Sequence, residues 1–244
     1  LAGVFFMLPS LAFALLFPVP EPNAAMTAEQ QAAMTMEFLR SAAPLIIPMA
    51  VLQAAGTLTL LTLLTDRARP TVGQAIKLGF VALVPYVLAQ ILFGGAVALL
   101  GSLLLGLAAA IGSPALGSVI MAMVMAGLIY GVIRIALVPT AIAMEHLRNP
   151  VAAIKRSWAL TEGNAGRIAL FFVMLFVALL VVTVVLQMLI GTLLLVIAGA
   201  EGARVGIGIV SSAVSAIITL YLVAVLASIH RQLAGTAATD QVFD

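Results

Sequence analysis

The sequence predicts an all-α, polytopic transmembrane helical bundle of about six helices. Of the 244 residues, 64% are apolar and only 8% are charged, and the mean hydropathy is +1.26. A soluble domain carries about 25% charged residues, and so few charges could not cover the surface of a water-soluble protein of this length. The apolar residues also lie in runs that reach the length of about 20 residues that a membrane-crossing helix needs.

Six apolar segments, taken in order, predict the helices of a single transmembrane domain that covers residues 1–244. They are 1–17, 44–65, 78–112, 117–144, 168–200 and 205–230. The third and fifth are the longest. At about 1.5 Å per residue they are longer than a bilayer core is thick, so we expect them to tilt, bend or project beyond the membrane. Because Leu1 already lies inside the first apolar run, we also expect further sequence upstream of it.

The connection between the first two apolar segments predicts an additional helix. Residues 24–39 are rich in Ala, Met, Gln and Glu, which favour a helical backbone, and Thr27 is a candidate N-cap. We expect this segment to form a separate helix on the outer membrane surface. The second transmembrane helix is then expected to begin at Pro44.

Positive charges predict the orientation of the bundle. Lys and Arg gather in the connections after the second and fourth segments and at the end of the sixth. They are Arg67, Arg69, Lys77, Arg148, Lys155, Arg156, Arg167 and Arg231. The other connections hold only Arg40 and Arg204, together with several Glu residues. Because loops rich in Lys and Arg remain on the cytoplasmic side, we expect both termini to be cytoplasmic.

A short internal repeat suggests three helical hairpins. Residues 75–77 read Ala-Ile-Lys and are followed by Phe80, and the same pattern returns 78 positions later at residues 153–155, followed by Trp158. Each copy follows a Pro, which is favoured in a first helical turn. We predict that a cytoplasmic interfacial helix introduces each hairpin, the first lying upstream of Leu1. The candidate contacts with lipid headgroups are Lys77, Lys155, Arg156 and Trp158.

The sequence contains few of the residues that usually form catalytic or metal sites. It has no Cys, and its two His residues, His146 and His230, are too few to build a typical zinc site with three or four protein ligands. No glycine-rich phosphate loop is present, and the net charge of +2 is too small to indicate a nucleic-acid partner. We therefore predict no enzyme activity, catalytic residue, metal or cofactor.

One charge inside an apolar segment is a candidate site. Arg134 lies ten residues before the end of segment 117–144, and a charge within the membrane is costly unless it has a function or an internal partner. Counting from the helix ends brings Gln53 and Gln90 to a similar depth, and Tyr130 lies one turn away. We expect these four residues to form a polar cluster, on a helix face where Gly127 and Gly131 permit close packing. Both a structural and a functional role for Arg134 remain open.

Residues 130–164 resemble a known family. The stretch contains Arg134, Glu145 and the run Ala-Ile-Lys-Arg-Ser-Trp-Ala-Leu-Thr-Glu-Gly-Asn that ends at Asn164. This pattern resembles the bacterial family named for the membrane domain of glycerophosphoryl diester phosphodiesterase, which is similar to the YciC-like inner-membrane proteins. The resemblance implies a helical bundle in the bacterial cytoplasmic (inner) membrane. It carries over no catalytic residue, because nothing here corresponds to the family's soluble phosphodiesterase barrel.

These observations leave alternative functions. The first is a non-enzymatic scaffold or accessory subunit that engages membrane lipids, other membrane protein subunits or further copies of the chain. The alternative is a transporter or lipid-handling channel in which Arg134 attracts an anionic headgroup or solute. An intramembrane hydrolase ranks third. A channel should show a polar cavity that reaches Arg134, whereas a scaffold should show a closed core.

Overall fold

The computed structural model describes residues 1–17, 26–65 and 70–243, and these ranges form an all-α bundle. This confirms the predicted fold class. A π-helical turn, Gly3–Met7, leads into α1. The helices are α1 (Leu8–Leu16), α2 (Ala28–Thr65), α3 (Val72–Ile111), α4 (Pro114–Ile135), α5 (Val138–Met144), α6 (Pro150–Thr161) and α7 (Ala165–Phe243). Within α7, Gly199 has a φ of 68° and interrupts the helix.

Five helical spans are long and apolar enough to cross a membrane. They are Glu29–Thr65, Val72–Ile111, Ala115–Met144, Ala165–Gly199 and Val205–Ala234, and the shorter apolar helix Gly3–Leu16 precedes them. All six predicted apolar segments are therefore helical, and the chain is a multi-pass membrane protein. α7 supplies two of the spans, because Gly199 lets the chain reverse where an L-residue would be strained.

The predicted start of the second transmembrane helix at Pro44 is wrong. α2 begins at Ala28 and continues as one helix through Pro44 and Pro48 to Thr65. The predicted cap is present: the Thr27 hydroxyl accepts from the Gln30 N–H at 3.3 Å, and Thr27 N–H donates to the Gln30 side chain at 2.9 Å. Each Pro removes one backbone hydrogen bond, but long apolar helices tolerate this loss. A separate surface helix is therefore absent from residues 26–65.

The two repeat copies differ in one turn. α6 ends at Thr161, and Gly163, with a φ of 73°, turns the chain into α7. The position equivalent to Gly163 in the first copy is Pro85, which lies inside the unbroken helix α3. Because Pro holds φ near −65°, the chain cannot make the left-handed turn there. The interfacial helix predicted before α3 is consequently the first part of α3 itself.

The repeated residues nevertheless share their surroundings. Ala75 and Ala153 are both fully buried, while Lys77 and Lys155 are both exposed. The aromatic residues match as well, since Phe80 is 47% exposed and Trp158 is 42% exposed. The repeat therefore encodes one buried and one exposed face, although only the second copy is a separate helix.

The buried core lies towards one end of the bundle. It joins the π-helical turn at Phe5 and Phe6 to the second half of α2, to α5 and to the second part of α7. A second cluster joins α3, α5 and α6 around Ala89, Val138 and Ala153. Buried Thr side chains in α2 bond to their own helix: Thr59 donates to the Ala55 carbonyl at 2.7 Å and Thr62 to the Leu58 carbonyl at 2.9 Å. The hydroxyls of Thr59 and Thr62 are thereby satisfied without water.

The close contact between α2 and α3 yields a first prediction. A Cβ at Gly79 would lie 2.9 Å from the Thr59 backbone nitrogen and 3.1 Å from the Ala55 carbonyl oxygen. Because backbone atoms cannot move aside cheaply, Gly79→Ala should destabilise the protein by about 1–3 kcal/mol. The measurement is the thermal unfolding midpoint in detergent micelles, followed by circular dichroism.

Gly94→Ala is the matched control. It lies in the same helix, but apart from its own stretch of helix no described atom lies within 4 Å of its added Cβ. Replacing a helical Gly by Ala there should raise stability by up to about 1 kcal/mol. Equal shifts in the two variants would contradict close packing at Gly79.

Candidate functional site

A break between α4 and α5 creates the site around Arg134. α4 ends at Ile135 and α5 begins at Val138, followed by Pro139, which has no N–H to continue the helical ladder. The break leaves room at the Arg134 carbonyl for a donor from another helix. The Ser157 hydroxyl of α6 donates to this carbonyl at 2.6 Å. The local sequence therefore ties α6 to the end of α4.

The Arg134 side chain makes the same connection. Its Nη1 donates to the Trp158 carbonyl at 3.0 Å and to the Thr161 hydroxyl at 3.2 Å, both in the last turn of α6. Its Nε and Nη2 donate to the Tyr130 hydroxyl at 2.8 and 2.6 Å. The guanidinium carbon also lies 5.1 Å from the centre of the Tyr130 ring and 5.7 Å from that of Trp158, within range of cation–π attraction. The positive charge of Arg134 lies beside the C-terminal carbonyls of α6, where a cation stabilises the helix through its dipole.

The predicted cluster is therefore only partly correct. Tyr130 and Arg134 are joined, but among the described residues no hydrogen bond links Arg134 to Gln53 or Gln90. Gln90 instead donates from Nε2 to the Tyr86 hydroxyl at 2.9 Å. Counting along the helices misplaced the amides because α4 ends one residue after Arg134, and the side chain turns to α6. The expectation of close packing holds for Gly131, which lies against Phe93, and fails for Gly127, which faces open space.

A second polar cluster lies between α5, α6 and α7. Arg156 Nε donates to both Glu145 oxygens, at 2.9 and 2.8 Å, and His230 Nε2 lies 3.2 Å from Glu145 Oε1. Glu145 and Arg156 are partly exposed, whereas the His230 side chain is almost wholly buried. The sequence does not reveal this cluster, because His230 lies 85 positions after Glu145. It holds one side of α6, as Arg134 holds the other.

The four candidate headgroup contacts differ in their availability. Lys77 and Lys155 are exposed, and Trp158 is partly exposed. Arg156 is engaged by Glu145, so it is less free for lipid phosphates than the sequence suggests. Headgroup binding stays a prediction for all four residues.

An open apolar cleft separates the α3–α4 hairpin from α7. Its volume is about 920 Å³. Its polar side chains are Thr57, Tyr86, Gln90 and Thr183. The apolar ones come from α3, α4, α5 and both parts of α7, and they include Phe93, Phe172, Phe176, Leu179 and Leu180. Arg134 is not among the lining residues, although Ile133 and Ile135 are. The cleft is therefore neither the polar cavity expected of a channel nor the closed core expected of a scaffold.

No group of three His, Cys, Asp or Glu side chains within residues 1–17, 26–65 and 70–243 could hold a metal ion.

The model of a domain of unknown function, DUF7847, matches residues 1–233. The chain belongs to the DUF7847 family. No curated protein and no solved structure matches this DUF7847 chain. The predicted relation to the phosphodiesterase membrane-domain family stays a prediction, because the DUF7847 match does not test it.

The attachment of α6 in this DUF7847 protein yields a second prediction. Arg134→Leu removes the hydrogen bonds that the charged guanidinium donates to the Trp158 carbonyl, Thr161 and Tyr130. A hydrogen bond of a charged group contributes about 1.5–3 kcal/mol to the free energy of unfolding. We expect a loss of several degrees in thermal midpoint and a changed emission maximum of Trp158, the single Trp of the chain. Tyr130→Phe should show a smaller loss, because the bonds to α6 remain.

Arg40→Leu provides the control for removal of a positive charge. Arg40 is exposed on α2 and makes no hydrogen bond or ion pair within the described residues. It should leave both the midpoint and the Trp158 emission unchanged. Parent-like stability and emission in Arg134→Leu would show that Arg134 does not hold α6.

Proposed function

We propose that this protein is a non-enzymatic membrane scaffold or accessory subunit that engages lipids through the exposed faces and the cleft of α3, α4 and α7. The observation that carries the proposal is the uneven packing of its spans. In the most apolar stretch of Glu29–Thr65, 39% of residues are buried, against 11% in Val72–Ile111 and 6% in both Ala115–Met144 and Ala165–Gly199. Three spans thus bury few residues of their most apolar stretch, and many of their apolar side chains are exposed to whatever surrounds the bundle.

Lipid is the surrounding that suits these faces. Large side chains are highly exposed: Leu99 on α3 is 71% exposed, and Met188 and Val196 on α7 are 69% and 79% exposed. Contiguous apolar surface on this scale marks contact with a membrane or with another protein. The cleft continues this surface inwards, and its lining is also mainly apolar. Partner proteins and further copies of the chain compete with lipid for the same faces.

The proposal includes a location and an orientation. We place the α6 side at the cytoplasmic surface of a bacterial inner membrane, with both termini cytoplasmic. The support is the gathering of Lys and Arg in the connections on that side. Exposed Lys155 and partly exposed Trp158 on α6 suit a position near the headgroups.

The transporter alternative receives less support from the geometry. It requires Arg134 to attract an anion into a pathway, but the Arg134 guanidinium donates to Tyr130 and to the last turn of α6. The α4 residues that line the cleft, 132, 133 and 135, lie on other faces of this helix from Arg134. A solute in the cleft would therefore meet apolar side chains and not this charge.

A third prediction separates the two functions. Purified protein is reconstituted into vesicles of phosphatidylethanolamine and phosphatidylglycerol with a fluorescent NBD-labelled phosphatidylglycerol. A scaffold should leave the inner-leaflet label protected from externally added dithionite, as in protein-free vesicles. Native mass spectrometry of the same preparation should show phospholipid still bound after detergent extraction.

The opposite results would favour the alternative. Loss of the inner-leaflet signal in vesicles shown to be sealed would indicate lipid movement across the bilayer and overturn the scaffold proposal. Loss of this lipid movement in folded Arg134→Leu, with the movement kept in Arg134→Lys, would then assign it to the charge. Extraction of the protein without any bound lipid would contradict the proposed lipid engagement.

A further inference from the structure

The cleft contains a polar pair with unused hydrogen-bonding capacity. Gln90 donates one of its two amide hydrogens to the Tyr86 hydroxyl. The second amide hydrogen and the Tyr86 hydroxyl hydrogen have no acceptor among the described residues, and both side chains line the cleft. Thr57, also in the lining, differs because its hydroxyl donates to the Gln53 carbonyl at 3.0 Å. The cleft therefore presents two neighbouring donors without protein acceptors.

These donors lie well within the apolar length of the bundle. Gln90 is 18 residues from Val72 and 21 from Ile111 at the two ends of α3, or about 27 and 32 Å at 1.5 Å per residue. The facing wall, Phe172 to Val184, occupies the middle of the Ala165–Gly199 span. Water is scarce at such a position, and a polar group left without a partner in hydrocarbon costs several kcal/mol. A bound acceptor would remove that cost.

The size of the cleft decides between classes of occupant. A helix about 10 Å wide fills about 120 Å³ per residue, so a cleft of about 920 Å³ would hold only about eight helical residues. The cleft is therefore too small to enclose a partner transmembrane helix of about 20 residues. The volume does match that of small-molecule sites, which are about 300–1,000 Å³, mainly apolar and provided with a few polar groups.

The lining indicates the chemistry of the ligand. Phe93, Phe172 and Phe176 contribute aromatic surface, and none of the described residues that line the cleft is charged. An anionic ligand would therefore lack a counter-charge, whereas a neutral carbonyl oxygen has two lone pairs for the two donors. The Phe93 ring packs against α4 at Gly131, where the absence of a side chain leaves room for it.

We propose that the cleft binds one neutral, lipid-soluble carbonyl compound, whose carbonyl oxygen accepts hydrogen bonds from Gln90 and Tyr86. Its apolar body lies between the α3–α4 hairpin and the first part of α7, and it enters sideways from the membrane. This inference deepens the proposed function, on which it rests, by naming the class of lipid-soluble molecule that the cleft selects.

The test uses two probes of similar size, decyl-1,4-benzoquinone and decylbenzene, added to the full-length protein in one detergent. Native mass spectrometry counts bound probe, and competition between the probes gives their relative affinity. Parent protein should bind one molecule of the quinone at least tenfold more tightly than decylbenzene, since two hydrogen bonds of about 1 kcal/mol each are at stake. Gln90→Leu and Tyr86→Phe should each reduce this preference about fivefold, and together they should abolish it.

Two further variants locate the binding. Leu179→Trp fills the cleft and should prevent binding of both probes, while Leu189→Trp, on the same helix but outside the lining and 66% exposed, should leave binding unchanged. The thermal midpoint of each variant shows whether it is folded, and only folded variants are compared.

Several results would overturn the inference. These are equal affinity for both probes, a preference for the quinone that survives loss of both donors, or binding that is blocked equally by Leu179→Trp and Leu189→Trp. If the quinone does not bind but phospholipid remains on the extracted protein, this inference fails and the proposed function stands. If phospholipid is absent as well, both fail.

Discussion

The contact between Arg134 and the last turn of α6 determines how the second half of the bundle is arranged. It acts through the side chain, which donates to the Trp158 carbonyl and Thr161, and through the main chain, which accepts from Ser157. Because α6 leads through a three-residue turn into α7, fixing α6 also fixes where α7 begins. The Glu145–Arg156 pair and buried His230 hold the opposite side of α6. The cleft wall formed by α7 therefore depends on contacts outside the cleft.

The uneven packing of the bundle follows from its solvent. In water, spans with 6% of their apolar stretch buried would not be stable, because burial of apolar surface is the main driving force for folding. In lipid, that surface is already in a favourable medium, and the essential requirement is that backbone and side-chain polar groups find partners. The buried Thr hydroxyls of α2 meet this requirement within their own helix. Gln90 and Tyr86 bond to each other but keep two donor hydrogens without acceptors among the described residues. This makes the cleft a candidate ligand-binding site.

The internal repeat shows how one residue changes an architecture. The two copies keep the same buried Ala, exposed Lys and partly exposed aromatic residue. They differ where Gly163 turns the chain and Pro85 continues it. A left-handed backbone conformation is open to Gly and closed to Pro, so only the second copy becomes a separate helix able to receive Arg134.

The sequence by itself determined the helical class and the six apolar segments, because hydropathy and composition are summed over many residues and tolerate local errors. It also indicated Arg134 as exceptional, since a charge in an apolar run is visible without knowledge of contacts. The sequence could not locate the start of α2, because a Pro at position 44 is equally compatible with the start of a helix and with the interior of a long apolar helix.

Only the tertiary structure decided the partners. Arg134 lies 24 and 27 positions before its acceptors in α6, and Glu145 lies 85 positions before His230. Depth counted along separate helices cannot place such pairs, because it ignores where a helix breaks and which way each face points. The same holds for the cleft, whose walls come from five helices and exist only once those helices are packed.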